Sequence, residues 1–121
     1  MESKIDVKDG YIYLKFSGYG NPTDIKKVLH ETRQQCNRLH NSNVMIDFLD
    51  FNFENINKTK RIVFAMTLFD TFKHLPNARI ASIMNEDVYD KTLETYAEMT
   101  FFGYNVFHSK DKALDWFNDE S

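Results

Sequence analysis

The alternation of strand-length and helix-length segments between Asn43 and Ser109 constrains the fold of this chain more than any other feature. The strand-length NVMIDFLDF is followed by the helix-length KTKRIVFAMTLFDTFKHL, the strand RIASIM, a further helix-length segment VYDKTLETYAEMTFFG and the strand YNVFHS. Helices of this length between strands act as right-handed crossovers, and crossovers connect parallel strands. The sequence therefore predicts an α/β fold with a mostly parallel sheet packed by helices.

An N-terminal β-hairpin is predicted before this alternation. The dipeptide Asp9-Gly10 separates two short apolar segments and tolerates the positive φ of a two-residue turn. Such a turn places Val7 opposite Ile12 and Ile5 opposite Leu14, with all four side chains on one face. The hairpin adds an antiparallel strand pair, so we expect a mixed sheet.

Helix boundaries are predicted from capping residues. Asn21 is the expected cap of the first helix, with Pro22 and Asp24 in the first turn. Its buried stripe is predicted to contain Ile25, Val28, Leu29, Thr32, Cys36 and Leu39. The second helix is expected from about Lys58 to Leu75 and is apolar over more of its surface than core packing requires.

The C-terminal half is predicted to contain two more helices. The third helix buries Val88, Leu93, Tyr96 and Ala97 in this interpretation, with Gly103 as its C-terminal cap. Ser109 is the expected cap of a short final helix with Asp111 in its first turn. The side chains predicted to dock this helix on the sheet are Ala113, Leu114, Trp116 and Phe117.

Length and composition limit the classes of function. The 121 residues fit one domain spanning positions 1–121. A net charge of −3 and a pI near 5.8 argue against nucleic acid as a partner. The single cysteine, Cys36, excludes an intrachain disulfide, and no apolar run approaches the length of a membrane span. No basic and apolar leader is present at the start, so we expect a cytoplasmic protein.

The order of elements resembles the STAS domain, the fold of bacterial anti-sigma-factor antagonists. The closing segments Ala78-Arg79-Ile80-Ala81, Val106-Phe107-His108 and Asp111-Lys112-Ala113-Leu114-Asp115-Trp116-Phe117 are similar to a STAS-like end. In that end, a helix begins with acidic residues before Ala-Leu-x-Trp-Leu. The same fold group includes the CRAL-TRIO lipid-transfer domains. The resemblance implies a single STAS-like domain that binds a protein, with an apolar ligand as the alternative.

The resemblance also implies that a phosphorylation switch is missing. In phosphorylatable STAS domains an acceptor serine lies at a helix N-terminus, where free backbone N–H groups favour an anion. The matching stretch here runs from Asp50 to Lys58, with Asn57 in place of the serine and Lys58 in place of the following glycine. Asparagine has no hydroxyl to phosphorylate. Thr59, two residues on, is the alternative acceptor and would lie inside the first helical turn.

Three carboxylates near the end of the central strand are the candidates for acid–base chemistry. Asp47, Asp50 and Glu54 lie where open α/β sheets place their ligand crevice. No nucleophile, metal ligand or glycine-rich phosphate loop accompanies them, so acids satisfied by solvent or backbone are the favoured interpretation. The four histidines lie in separate elements without ligand spacing. We therefore predict no enzyme, no catalytic residue, no metal and no cofactor.

Surplus aromatic and aliphatic side chains indicate a binding surface. The first hypothesis is a regulatory or protein-interaction module, with a homodimer as its simplest form; the second is a small apolar-ligand pocket between the second and third helices. The partner or ligand surface is predicted to include Asp50, Phe51, Phe53, Glu54, Asn57, Lys58, Phe64, Phe69, Met99 and Phe102.

Overall fold

The computed structural model describes residues 1–54, 56–86 and 103–119. Five strands and three helices occur in these ranges: β1 (Glu2–Lys8), β2 (Tyr11–Gly18), α1 (Pro22–Leu39), β3 (Asn43–Phe51), α2 (Lys58–Phe72), β4 (Arg79–Ile83), β5 (Gly103–Phe107) and α3 (Lys110–Phe117). The predicted helix between β4 and β5 lies outside the described residues. Gly103, its expected cap, is instead the first residue of β5.

The strands form one mixed sheet in the order β1-β2-β3-β4-β5. β1 pairs antiparallel with β2, and the three remaining pairs are parallel. A large hydrophobic cluster joins one face of the sheet to α1 and α2, and a smaller cluster joins the other face to α3. The predicted α/β architecture is confirmed.

The hairpin forms in the predicted register. Val7 pairs with Ile12 and Ile5 with Leu14, while Gly10 adopts a φ of +85° in the turn. Ile5 packs against the large cluster, yet Val7 on the same face is 58% exposed. Val7 lies one residue before the end of β1, next to the turn.

α1 begins as predicted and is exposed at its end. The Asn21 side chain accepts a 3.0 Å hydrogen bond from the backbone N–H of Asp24. The predicted stripe is buried as far as Cys36, but the placement of Leu39 in it was wrong, because residues 37–40 are all exposed. The helix ends at Leu39, and the following residue, His40, has a φ of 52° in the left-handed region.

β3 is the central strand and is covered on both faces. Every residue from Val44 to Phe48 is buried, which agrees with the unbroken apolar sequence. The pairing with β2 shifts between Lys15 and Ser17, because Lys15 pairs with Asp47 whereas Ser17 pairs with Asp50. β3 therefore contains one extra residue, a β-bulge.

α2 is shorter than predicted, because it ends at Phe72 instead of Leu75. The backbone N–H of Leu75 donates to the carbonyl of Phe72 across 3.0 Å, so a tight turn replaces the last helical turn. Val63 and Met66 are 44% and 55% exposed. The apolar character of α2 thus extends onto its outer surface, as the sequence indicates.

α3 is anchored at both ends. The Ser109 hydroxyl accepts a 3.3 Å hydrogen bond from the backbone N–H of Lys112, as predicted. At the other end the Arg79 guanidinium donates to the carbonyls of Trp116 and Phe117 and lies 4.5 Å from the centre of the Trp116 ring. A cation at the C-terminal carbonyls stabilises a helix.

Candidate functional site

The candidate site is an open groove where β3 passes into α2. The groove has a volume of about 550 Å³ and is lined by Leu49, Asp50, Phe51, Asn52, Phe53, Glu54, Ile56 and Arg61. We call these residues the β3–α2 surface. The carboxyl end of a central parallel strand is the usual position of a ligand crevice in an α/β sheet.

The β-bulge in β3 decides which side chains face the groove. Side chains normally alternate between the faces of a sheet, so Asp47 and Asp50 would point in opposite directions. The extra residue reverses the alternation and places Asp50 beside Lys15, which neighbours Asp47 through strand pairing. The same reversal sends both Phe48 and Phe51 into the large hydrophobic cluster.

Two aromatic rings line the groove, those of Phe51 and Phe53, and both pack against the ring of Phe48. Phe48 is fully buried, and its ring centre lies 5.9 Å from that of Phe51, 5.8 Å from that of Phe53 and 5.4 Å from that of Phe64. Phe51 and Phe53 meet edge to face at 4.8 Å. Only Phe53 among these rings is half-buried, so it is the ring that a bound molecule would touch.

Local hydrogen bonds hold the loop between β3 and α2. Asn52 donates its backbone N–H to the Gly18 carbonyl across 2.8 Å, and its side-chain oxygen accepts from the N–H of Glu54 across 2.9 Å. The Ile56 N–H donates to the Phe53 carbonyl across 3.0 Å. The guanidinium of Arg61 lies over the Phe53 ring, 5.9 Å from its centre. These contacts define the backbone of the loop without using the exposed carboxylate of Glu54.

Asn57 begins α2 at the position that the resemblance assigns to an acceptor serine. Its side-chain oxygen accepts a 2.9 Å hydrogen bond from the backbone N–H of Lys60. Asparagine is among the best N-cap residues for this reason. Asn57 therefore has a structural role as the helix cap, and the hydroxyl of Thr59 lies in the exposed first turn.

One of the two acidic side chains that line the groove, Asp50, has an ion-pair partner. Asp50 forms a 2.8 Å ion pair with Lys15. The hydrogen bond and charge of Lys15 hold the pKa of Asp50 below its ordinary value, and those of Asp50 raise the pKa of Lys15. Asp50 is thus an ionised surface carboxylate, which is unsuited to act as a general acid near neutral pH.

Asp47 is buried on the α3 face of the sheet. It accepts hydrogen bonds from the Tyr13 hydroxyl and, across 2.9 Å, from the backbone N–H of Leu49 within the bulge. The Lys110 ammonium lies 3.8 Å from the carboxylate and 4.8 Å from the centre of the Tyr13 ring. Burial and the hydrogen bond to Asp47 raise the pKa of Tyr13. This network satisfies a buried carboxylate and fixes the bulge.

The predicted surface residues fall into three groups. Asp50, Glu54, Asn57 and Lys58 are exposed and Phe53 is half-buried, all around the loop. Phe51, Phe64 and Phe69 are each 6% exposed and lie in the large cluster, and of these three only Phe51 also lines the groove. Met99 and Phe102 lie outside the described residues.

Sequence reasoning missed three features of this site. These are the bulge, the Tyr13–Asp47 hydrogen bond and the position of Arg61 at the groove. All three depend on residues that meet only in three dimensions. The weak signal in the sequence is an acid inside an otherwise apolar strand, because a buried carboxylate requires partners.

Residues 1–54, 56–86 and 103–119 also contain no arrangement for metal or membrane chemistry. No group of three or more histidine, cysteine or acidic side chains meets there in a metal-binding arrangement. In the same ranges, no helix has the length and apolar character needed to cross a bilayer. Cys36 is buried in α1, and burial raises the pKa of its thiol to about 11, which disfavours the reactive thiolate.

Three solved structures with the same fold are anti-sigma-factor antagonists or have a fold like that of one. An anti-sigma factor antagonist from Mycobacterium paratuberculosis aligns with a TM-score of 0.69 and 14% identity, covering 98% of this chain and 94% of its own. The anti-sigma factor antagonist SpoIIAA in its unphosphorylated form gives a TM-score of 0.57 and 6% identity, with 95% and 96% covered.

A third structure, an uncharacterized DUF3478-family protein with a SpoIIAA-like fold from Shewanella loihica, gives a TM-score of 0.51 and 17% identity, with 96% and 92% covered. No family model and no curated protein matches the sequence. The chain therefore has the STAS-like fold. Identities this low establish the fold alone, and function must be argued from the site.

Proposed function

We propose that this protein is a non-enzymatic, STAS-like interaction module that binds a protein partner through the β3–α2 surface and lacks the serine phosphorylation switch. The supporting observation is the groove of about 550 Å³, which combines the half-buried Phe53 with the exposed carboxylates of Asp50 and Glu54. An aromatic side chain bordered by charged groups is typical of a protein-binding surface.

The partner segment proposed for this groove carries an apolar side chain with basic residues on either side. The apolar side chain would cover Phe53, while the basic residues would lie near Glu54 and Asp50. The structures with the same fold also favour a protein partner, since two of them are described as anti-sigma factor antagonists. Binding of this kind requires no cofactor and fits a cytoplasmic protein with one buried thiol.

The role of Asn57 supports constitutive binding. Its side-chain oxygen accepts the cap hydrogen bond from the Lys60 N–H, and the side chain has no hydroxyl that a kinase could phosphorylate. In this proposal the surface is permanently available, and partner concentration instead of phosphorylation controls occupancy.

Site-specific photo-crosslinking tests the proposal. A photo-reactive amino acid placed at Glu54 should capture one discrete protein in the source cells, identified by mass spectrometry. The same residue placed at the exposed Glu31 of α1 is the matched control and should capture none. Equal patterns from both positions, or no adduct at position 54, would refute the proposed surface.

The alternative function, a pocket for a small apolar ligand between the second and third predicted helices, stays a prediction because the third helix lies outside the described residues. It predicts a higher melting temperature when fatty acid is added, since only the native state binds the ligand. The open, partly acidic groove described above favours a protein segment instead.

A further inference from the structure

The outer edge of β1 is the second surface that indicates a partner, and it is separate from the proposed β3–α2 surface. β1 is the first strand of the sheet and pairs only with β2 among the described strands. Its outer backbone groups therefore lack a ladder partner in the described part of the chain. An edge of this kind is a template for another strand.

The hairpin geometry identifies which residues of β1 point outward. The β-turn at Asp9-Gly10 joins Lys8 to Tyr11, so these two residues exchange backbone hydrogen bonds. Antiparallel pairs alternate between hydrogen-bonded and non-bonded pairs, and the β1–β2 register contains no shift. The backbone groups of Ser3, Ile5 and Val7 consequently point away from β2.

The charges of β1 are arranged so that the strand complements itself. Its sequence is Glu-Ser-Lys-Ile-Asp-Val-Lys from Glu2 to Lys8. When two copies run antiparallel with Ile5 opposite Ile5, Lys4 lies opposite Asp6. In the same register, Glu2 lies opposite Lys8. Every charged residue of the strand then faces an opposite charge, which stabilises a cross-strand pair.

This register also satisfies the backbone. Ser3 lies opposite Val7 and Ile5 opposite Ile5, so outward-pointing backbone groups meet outward-pointing groups. Lys4 and Asp6 already form a 3.4 Å ion pair within one strand. In the dimer, Lys4 and Asp6 of both copies would therefore form a square of four side chains in which positive and negative charges alternate.

The neighbouring registers are unfavourable. A shift of two residues in one direction places Lys4 opposite Lys4 and Glu2 opposite Asp6. The opposite shift places Asp6 opposite Asp6 and Lys4 opposite Lys8. Like charges directly opposite each other destabilise a strand pair. A shift of one residue places outward-pointing backbone groups opposite residues whose backbone groups already bond β2. Such a register forms no hydrogen-bonded ladder.

We propose that β1 is a self-association surface through which two copies of this chain form an antiparallel β1–β1 dimer centred on Ile5, with one sheet continuing through both copies. The 58% exposure of Val7 adds an apolar side chain that Ser3 of the second copy would cover. The interface is isologous, as two-fold symmetry requires. It leaves the β3–α2 surface of each copy available to a different partner.

Charge reversal and rescue test the register. Wild-type protein should show concentration-dependent dimerisation by sedimentation equilibrium, weakened by added salt. Lys4→Glu and Asp6→Lys should each weaken it on the order of 10- to 100-fold, because two symmetry-related attractions become repulsions. The double variant Lys4→Glu/Asp6→Lys restores both opposite-charge pairs and should recover dimerisation. Lys27→Glu, an exposed change on α1 with the same effect on net charge as Lys4→Glu, should leave dimerisation unaltered.

A proline variant tests the backbone ladder. Val7→Pro removes an N–H that points outward, so the β1–β2 hairpin keeps its hydrogen bonds while the dimer loses one from each copy. We expect a folded monomer by circular dichroism and sedimentation. A wild-type protein that stays monomeric into the millimolar range would overturn the proposal, as would a dimer that survives Val7→Pro or a double charge variant without rescue.

Discussion

The two faces of the sheet are covered by different chemistry. On the α1 and α2 face, the cluster is apolar and contains the fully buried rings of Phe16, Phe48 and Phe72. On the α3 face, a smaller cluster packs around the Tyr13–Asp47 pair, with Lys110 above it. One face thus depends on apolar area removed from water, and the other includes a buried carboxylate that needs partners.

The difference shows how stability and positioning are divided in this fold. A satisfied polar network adds little net free energy but fixes geometry. Here, Asp47 binds the N–H of Leu49 inside the bulge, and the bulge directs Phe51 inward and Asp50 toward Lys15. We infer that the apolar face supplies most of the stability, while the polar face positions the start of the β3–α2 surface.

The largest expected effect comes from the apolar face. Phe48→Ala removes a ring that contacts Phe16, Phe51 and Phe64 and should lower the free energy of unfolding by about 3–5 kcal/mol. Urea denaturation measures the loss. Val63→Ala, on the outside of α2, is the control and should change stability by less than about 0.5 kcal/mol. Equal losses in the two variants would contradict the assignment of the core.

A smaller effect is expected from the α3 face. Trp116 is half-buried and contacts Arg79, Phe107 and Phe117. Trp116→Ala should lower the free energy of unfolding by about 1–2 kcal/mol, because part of the ring already faces water. A loss in urea denaturation as large as that of Phe48→Ala would show that the two faces contribute equally to stability.

The polar network should be visible in the pH dependence of stability. The pKa of Tyr13 is higher in the folded protein than in the unfolded chain, so its contribution is complete below about pH 10 and is lost as the pH rises further. Tyr13→Phe should therefore reduce the fall in unfolding free energy above pH 10, measured by urea denaturation across pH. Tyr19→Phe removes one exposed phenol and is the control. Identical curves for Tyr13→Phe and wild type would contradict the network.

No covalent change is expected at the start of α2. Intact-mass measurement after incubation with kinases of the anti-sigma type should show no added phosphate, since Asn57 supplies the cap without a hydroxyl. Asn57→Ser keeps an N-capping residue and adds a hydroxyl. It therefore tests whether the missing hydroxyl is the only reason that no phosphate is added at this position. A phosphate mapped to Thr59 in the wild-type protein would restore a switch and contradict the constitutive surface.

Much of the fold was predictable because local sequence signals determine it. The register of the hairpin and the caps at Asn21 and Ser109 depend on residues within a few positions of each other. The alternation of segments likewise indicated the parallel sheet. The end of α2 was misplaced because a turn stabilised by the Leu75 N–H competes with the last helical turn.

The site was less predictable because its geometry depends on long-range contacts. The sequence located the loop and its acids, but an ideal alternation would place Asp47 and Asp50 on opposite faces. Only the strand pairing reveals the bulge that brings them to one face. In the same way, no local pattern indicates that Arg79 binds the end of α3, since the two lie 37 or more residues apart.

We propose that the β3–α2 surface binds a protein partner, and the affinity of the partner captured from position 54 is the decisive measurement. Calorimetry with purified partner should show at least tenfold weaker binding for Glu54→Lys and for Phe53→Ala, because one loses a charge complement and the other an aromatic contact. Glu31→Lys is the matched charge control and should bind like wild type. Unchanged affinity in both loop variants, or equal weakening by the control, would show that the β3–α2 surface does not bind the partner.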